Sequence, residues 1–487
     1  MNIHDPLYAA AHPQPLTEVT LYSAPLIIPV TGPVILDGSI AVSGSRVVHV
    51  GTRRWVLDTL ESELAPDARV DERYWRGVIT PGLVNAHTHL QYTAMADVGR
   101  GTYGDFHEWE DAFDAVYDGC DGDMWRDSAR AGARMMLEAG TTAAADIVTD
   151  PQAADALASQ GMHGVAYWEV MNWHNSDWKT AGISELVNHL GSMRQEGLPS
   201  IGISPHAPYT LETAPFVDLP DIARQLDMRL HIHLAETPME AGADTDDLTI
   251  YSAAAWRDRH WTSYTELKRE GLNASAIQFL DQLGSLGPDV HIAHGVWASA
   301  EDRRILRQRG VGVALCPRSN RITVTGKDAP VRAYLEEGNL LAIGTDSLSS
   351  SPSLDVLDDA AALYDLARAQ GYRANDLSHR IIRMLTIGGA QEIGMYVGAG
   401  RIGQINAGAT ADLAFFDIPV DITTPAGIET TIDNLIRHGA GTNRATVISG
   451  RLLYNAGAFD IADASGDVAD GDPTAPVNPI PTTTPAR

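Results

Sequence analysis

The sequence predicts a (β/α)₈ barrel with a small β-sandwich domain beside it, and two observations carry that prediction. Eight short apolar runs rich in Val, Ile, Ala and Gly recur between stretches of helical pattern, at 81–90, 141–148, 164–170, 200–207, 229–236, 290–296, 310–316 and 340–346. Strands alternating with helices in this number are what a parallel barrel requires. Four of the runs also end in residues that bind transition metals or move protons. They are PGLVNAHTHL with His87 and His89, RLHIHLAE with His233 and Glu236, VHIAHG with His294, and LLAIGTD with Asp346. Side chains so distant in sequence meet only on a closed scaffold that gathers strand ends, and barrels carry their reacting groups at the C-terminal strand ends.

Each remaining element has its own signal. The stretch Asp121–Ala139 places Met124, Ser128, Ala131, Met135 and Leu137 on a roughly helical period and stops at Gly140, which predicts a helix feeding the strand at Thr141. Residues 17–56 and 401–457 alternate β-branched residues with Gly and Asp turns, so strands from both chain ends are expected to pair into one domain. From Asp460 the composition shifts to Asp, Ala, Pro and Thr, which cannot bury a core and predicts a disordered tail. The expected organisation is therefore 1–79 and 398–459 as the two parts of the β-domain, 80–397 as the barrel, and 460–487 as the tail.

Composition bounds the function. A chain of 487 residues exceeds one ordinary domain of about 100 to 200 residues, and a barrel plus an accessory domain accounts for it. The formal net charge of −28 argues against nucleic acid as a partner, because a phosphate-binding surface needs a basic stripe. No apolar run is long enough to span a membrane, and MNIHDPLYAA lacks the basic and apolar regions of a signal peptide. Two cysteines, Cys120 and Cys316, fit a reducing compartment, so the cytoplasm is the expected location. The expected partner is a small-molecule substrate, and a homo-oligomer is compatible with the sequence.

The order HxH, HxxE, AHG and GTD, followed by GATADLAFFD near the C-terminus, resembles the amidohydrolase superfamily, and within it the branch of single-metal deaminases and chlorohydrolases acting on purines, pyrimidines and triazines. The resemblance runs from about Thr17 to Gly457. It implies one divalent metal, held by His87, His89, His233 and Asp346. Residues at i and i+2 of a strand point to the same side, so His87 and His89 can offer two imidazoles to one ion. A nitrogen and oxygen donor set of this kind suits Zn²⁺, with Fe²⁺ or Mn²⁺ also compatible. The resemblance further implies that Glu236 shuttles a proton to a substrate ring nitrogen, that Asp346 accepts the proton lost by the attacking water, and that His294 hydrogen-bonds the attacking oxygen. A bridging residue for a second metal is expected on the fourth strand, SIGISPHAPYT, which ends in His206 instead; a single ion is the resulting expectation.

Four residues are expected to contact substrate. His206 lies in a PHAPY segment similar to one that places a histidine on substrate in related deaminases, and Glu169 closes the third strand. Trp109 lies in GDFHEWEDAF after the first strand. Arg318, in CPRSNR at the end of the seventh strand, invites a planar oxyanion, either a substrate carboxylate or an acidic neighbour in this very acidic protein. Together with WEV in the third strand, it gives a resemblance to aminofutalosine deaminases, whose substrate joins an adenine nucleoside to a benzoate. His231 and His291 are read as structural. The expected function is hydrolytic deamination of a purine nucleoside, aminofutalosine-like or adenosine-like. A triazine hydrolase displacing chloride or an alkylamine is the alternative, and a non-catalytic binding protein is the third reading.

Overall fold

The computed structural model describes residues 15–193, 200–243 and 261–459; the expected tail at 460–487 lies outside them. Strands β1 (Leu16–Ile27), β2 (Ile35–Ser43), β3 (Arg46–Thr52), β4 (Leu64–Tyr74) and β5 (Val78–Pro81) open the chain. The barrel follows with β6 (Leu83–Thr88), β7 (Thr141–Val148), β8 (His163–Val170), β9 (Ser200–Pro205), β10 (Leu230–Leu234), β11 (Val290–His294), β12 (Gly312–Leu315) and β13 (Leu340–Ile343). The last strands are β14 (Leu413–Phe416), β15 (Asn443–Ile448) and β16 (Arg451–Asn455).

Strands β6 to β13 form one parallel sheet in sequence order. Their residues are buried almost throughout, as expected for strands with helices on one side and a packed barrel interior on the other. The sheet closes where the chain leaves β13. The Asp346 N–H donates to the His87 carbonyl at 2.9 Å, and the Thr345 N–H donates to Asn85 Oδ1 at 3.1 Å. Gly344 makes this seam fit, because a Cβ there would lie 2.7 Å from His87 Cβ. All eight strands fall within the runs read from the sequence or one residue beyond them. Several end earlier, so that His89, Glu236 and Asp346 sit on the outgoing loops.

The helix expected over 121–139 spans Gly122–Glu138, with the Asp121 side chain capping the Met124 N–H. Its buried face differs from the expected one: Trp125, Ser128, Ala129, Gly132, Ala133, Met136 and Leu137 point inward, while Met135 is exposed. The physical reason is close packing, since a Cβ on Gly132 would meet Thr93 Oγ1 at 2.3 Å. Gly132 lets the helix come close to Leu90 and Thr93.

The two chain ends do pair. They form one mixed eight-stranded sheet in the order β16-β15-β14-β5-β1-β2-β3, with β4 also on β1. Strand β14 lies antiparallel to β5, from Leu413 opposite Pro81 to Phe416 opposite Val78, so residues over 300 positions apart close the sheet. Tyr22, Trp75, Phe415 and Phe459 pack together in its core. Pro81 and Gly82 then hand the chain directly to the first barrel strand.

Candidate metal centre and active site

The four signature segments converge at one end of the barrel. His87 is the penultimate residue of β6 and His89 follows the strand, with ring centroids 5.1 Å apart. The His233 ring centroid lies 4.9 Å from that of His87 and 5.2 Å from that of His89. Three non-glycine residues at these strand ends adopt left-handed backbone: Ala235 at φ 53°, His294 at φ 73° and Asp346 at φ 60°. Such conformations cost on the order of 1–3 kcal/mol each and persist where the surrounding structure enforces them. Here they turn the chain so that His294, Glu236 and Asp346 face the same point.

His87, His89 and His233 lie close enough together to hold a metal ion, as do His87, His294 and Asp346. His89 Nε2 lies 3.2 Å from His233 Nε2, and Asp346 Oδ1 lies 3.5 Å from His87 Nε2 and 3.6 Å from His89 Nε2. Tetrahedral ligation at about 2.0–2.1 Å sets ligand atoms roughly 3.3 Å apart. Two imidazole nitrogens at 3.2 Å need a shared proton or a cation, and the buried His87 Nε2 has no hydrogen-bond partner. Burial lowers the pKa of His87 and His233 and holds His89 at about 3, which leaves the imidazoles neutral, as ligands must be. Asp346 lies among His87, His89 and His294, and its carboxyl is held well below the usual range although burial alone would raise it. Its Oδ2 also accepts from the hydroxyls of Ser319 at 2.7 Å and Ser350 at 2.9 Å, and its Oδ1 from the Ser347 N–H at 2.7 Å.

Glu236 sits beside this cluster with its two oxygens differently engaged. The Tyr209 hydroxyl donates to Oε2 at 3.1 Å, and Oε1 is 3.5 Å from His294 Nε2. Burial raises the Glu236 pKa, which suits a group that carries a proton to substrate. The loop that holds it is fixed by Glu240, whose carboxylate accepts the backbone N–H groups of Ala235, Glu236 and Thr237 at 2.8–2.9 Å. His294 Nδ1 is 2.9 Å from Asn320 Oδ1. An amide oxygen only accepts, so the proton resides on Nδ1 and the lone pair of Nε2 faces the centre.

A pocket of about 440 Å³ opens above these groups, lined by Trp109, Phe106, Phe113, Tyr92, Glu169 and His206 among others. Trp109 is fixed there by its indole N–H, which donates to the Ser349 carbonyl at 2.9 Å. His206 Nδ1 pairs with Thr210 Oγ1 at 2.6 Å, and its Nε2 is 4.0 Å from Glu169 Oε1. Glu169 Oε1 is also 3.7 Å from His233 Nδ1, and burial followed by repulsion from Asp346 pushes its pKa up to about 8. Glu169, His206 and His233 could themselves gather around a cation, though they would share His233 with the first cluster.

The expectation for Arg318 is corrected. Its guanidinium turns away from the pocket and donates to Asp359 Oδ2 at 2.7 and 2.9 Å, to Ser353 and to Asp358. Asp359 is fully buried, so the pair neutralises a carboxylate behind the strand ends. The residues of CPRSNR that reach Asp346 and His294 are the next two. In the short helix Pro317–Ile322, Ser319 and Asn320 face Asp346 and His294 while Arg318 faces outward. Sequence reasoning singled out this motif but chose its charged residue, and periodicity in so short a helix gave no means to choose better. Glu240 had a readable signal in the T-x-x-E spacing from Thr237. Tyr209 lay in the PHAPY segment without being singled out.

The chain is similar to known proteins over most of its length. A curated 5-methylthioadenosine/S-adenosylhomocysteine deaminase from Nitratidesulfovibrio vulgaris is 28% identical over 447 residues, covering 89% of this chain and 92% of the relative. A 5'-deoxyadenosine deaminase from Methanosarcina mazei is 25% identical and covers 86% of this chain and 88% of its own. In structure, an adenosine deaminase from Xanthomonas campestris with bound zinc matches with a TM-score of 0.73 at 23% identity, over 93% of this chain and 96% of that one. The amidohydrolase family profile matches residues 78–453, which contain every barrel strand and every residue of the centre, and the chain belongs to the amidohydrolase family.

Proposed function

We propose that this protein is a hydrolytic deaminase of an adenine-type nucleoside, using one divalent ion, with zinc favoured, at His87, His89, His233 and Asp346. The observation that carries the reading is the position of Glu236, a buried carboxyl between Tyr209 and His294, at the floor of an aromatic pocket and next to the donor cluster. The names of the relatives point to the same substrate class.

A bound divalent ion would supply nucleophilic hydroxide at neutral pH by lowering the pKa of water toward about 7. The protein's own groups handle the protons. His294 Nε2 accepts a hydrogen bond from the attacking water and orients it toward the amine-bearing ring carbon, because Asn320 keeps the ring proton on Nδ1. Glu236 gives its proton to the adjacent ring nitrogen, which makes that carbon electrophilic. Asp346 takes one proton of the water and returns it to the departing amine, which leaves as ammonia. The second water proton restores Glu236 as the carbonyl forms. Trp109, Phe106 and Phe113 provide flat apolar surface for the base, and His206 presents Nε2 toward the pocket because Thr210 engages its Nδ1.

Arg318 no longer favours a carboxylate-bearing substrate, since its guanidinium is occupied by Asp359. The test is ammonia release from a panel of adenosine, 5'-deoxyadenosine, 5'-methylthioadenosine, S-adenosylhomocysteine, aminofutalosine, guanine and cytosine, with chloride release from chlorotriazines on the same plate. Turnover confined to the adenine nucleosides is expected. Chloride release without ammonia release would favour the triazine reading, and no turnover by metal-replete protein would favour a binding role.

A further inference from the structure

We propose that His231 is a positioning residue: it fixes the tautomer of His87 and so controls how tightly the centre holds its divalent ion. The inference rests on reading the centre as a metal site. His231 and His233 are two residues apart on β10, so both point into the barrel interior, with His231 one layer below the centre. His87 Nδ1 lies 3.1 Å from His231 Nε2, and both residues are fully buried.

Two ring nitrogens at that distance share one proton, since two lone pairs would repel and two N–H groups would clash. If His231 Nε2 carried it, His87 would be forced to hold its own proton on Nε2, which faces Asp346 Oδ1 at 3.5 Å. That proton would occupy the ion's position. The binding-competent arrangement therefore has the proton on His87 Nδ1, donated to a bare His231 Nε2, with the His231 proton on its own Nδ1. The His231 ring is held for this role by His291, whose centroid is 3.8 Å away, and by Tyr167, which meets it edge-on at 5.3 Å.

Histidine ligands commonly donate their far N–H to a carboxylate, a carbonyl or water, and a carboxylate raises the ligand's basicity. Here the acceptor is a neutral imidazole, which fixes direction without placing negative charge beneath the ion. A bound ion would then keep more of its charge for polarising water.

The experiment uses the full chain loaded with zinc and titrated with a competing chelator. His231→Leu removes the acceptor at similar volume, while His231→Gln returns an amide oxygen near the position of Nε2. His231→Leu should lose zinc roughly 10- to 100-fold more readily, the usual effect of removing such a partner, and His231→Gln should stay within a few-fold of wild type. Equal zinc retention in wild type and His231→Leu would overturn the inference, as would equal losses in both variants. Should His231→Leu fail to fold, ¹⁵N-histidine spectra of the zinc-loaded wild type decide: a protonated His87 Nδ1 with a bare His231 Nε2 supports the proposal, and the reverse overturns it. Wild-type protein that binds no zinc would overturn the metal reading and this inference with it, which separates the two failures.

Discussion

His294 and Asn320 are joined through a single hydrogen bond of 2.9 Å that decides which face of the imidazole meets the reaction centre. Replacing Asn320 by Ala removes the acceptor and frees the ring to exchange tautomers. Turnover should fall on the order of 10- to 100-fold, as for other partners that orient a functional histidine. Asn320→Asp, which keeps an acceptor, should lose less. Steady-state kinetics on both variants, with zinc content measured alongside, checks this.

Glu236→Gln retains the shape of the side chain but has no proton to give. Turnover should fall by at least about 10²-fold while zinc content stays at the wild-type level, because Glu236 is not among the residues assigned to the ion. Activity within a few-fold of wild type would show that the proton reaches the ring by another route.

Elemental analysis of the purified protein should give one divalent ion per chain. Stripping that ion with a chelator should lower both activity and thermal stability, since an ion bound only by the folded state stabilises it by mass action. Two tightly held ions would instead place the second at Glu169, His206 and the far nitrogen of His233.

Arg318→Met should act on stability and not on substrate choice. Breaking its pair strands Asp359, which is fully buried, and loss of one partner from a buried pair costs about 3–5 kcal/mol. Denaturant titration should register that loss, while the ratio of kcat/KM between carboxylate-bearing and uncharged nucleosides should not change. A selective loss on the carboxylate-bearing substrate would restore the expectation drawn from the sequence.

Phe459 is the last of the described residues and lies in the core of the terminal sheet. Its ring packs against Phe415 at 5.2 Å and Trp75 at 6.3 Å in the terminal sheet, so Phe459→Ala should cost about 3–5 kcal/mol. Removing 461–487 should leave stability and activity nearly unchanged, because that stretch carries no apolar pattern. Chemical denaturation of both variants tests the boundary.

The barrel, the pairing of the chain ends and the polar residues that gather at the strand ends were all readable from the chain. These are legible because a fully buried strand must be a continuous apolar run, so a His, Glu or Asp at the end of one stands out against it. Side-chain direction was not legible. That Arg318 faces outward while Ser319 and Asn320 face inward could not be read, since a short helix starting at Pro317 has no repeat from which to read a face. Nor could it show that His231 supports His87, because β6 and β10 become neighbours across the interior only when β13 closes on β6. Hydrogen bonds between such residues depend on distances of a few tenths of an ångström between strands far apart in sequence, and only the closed barrel sets those distances.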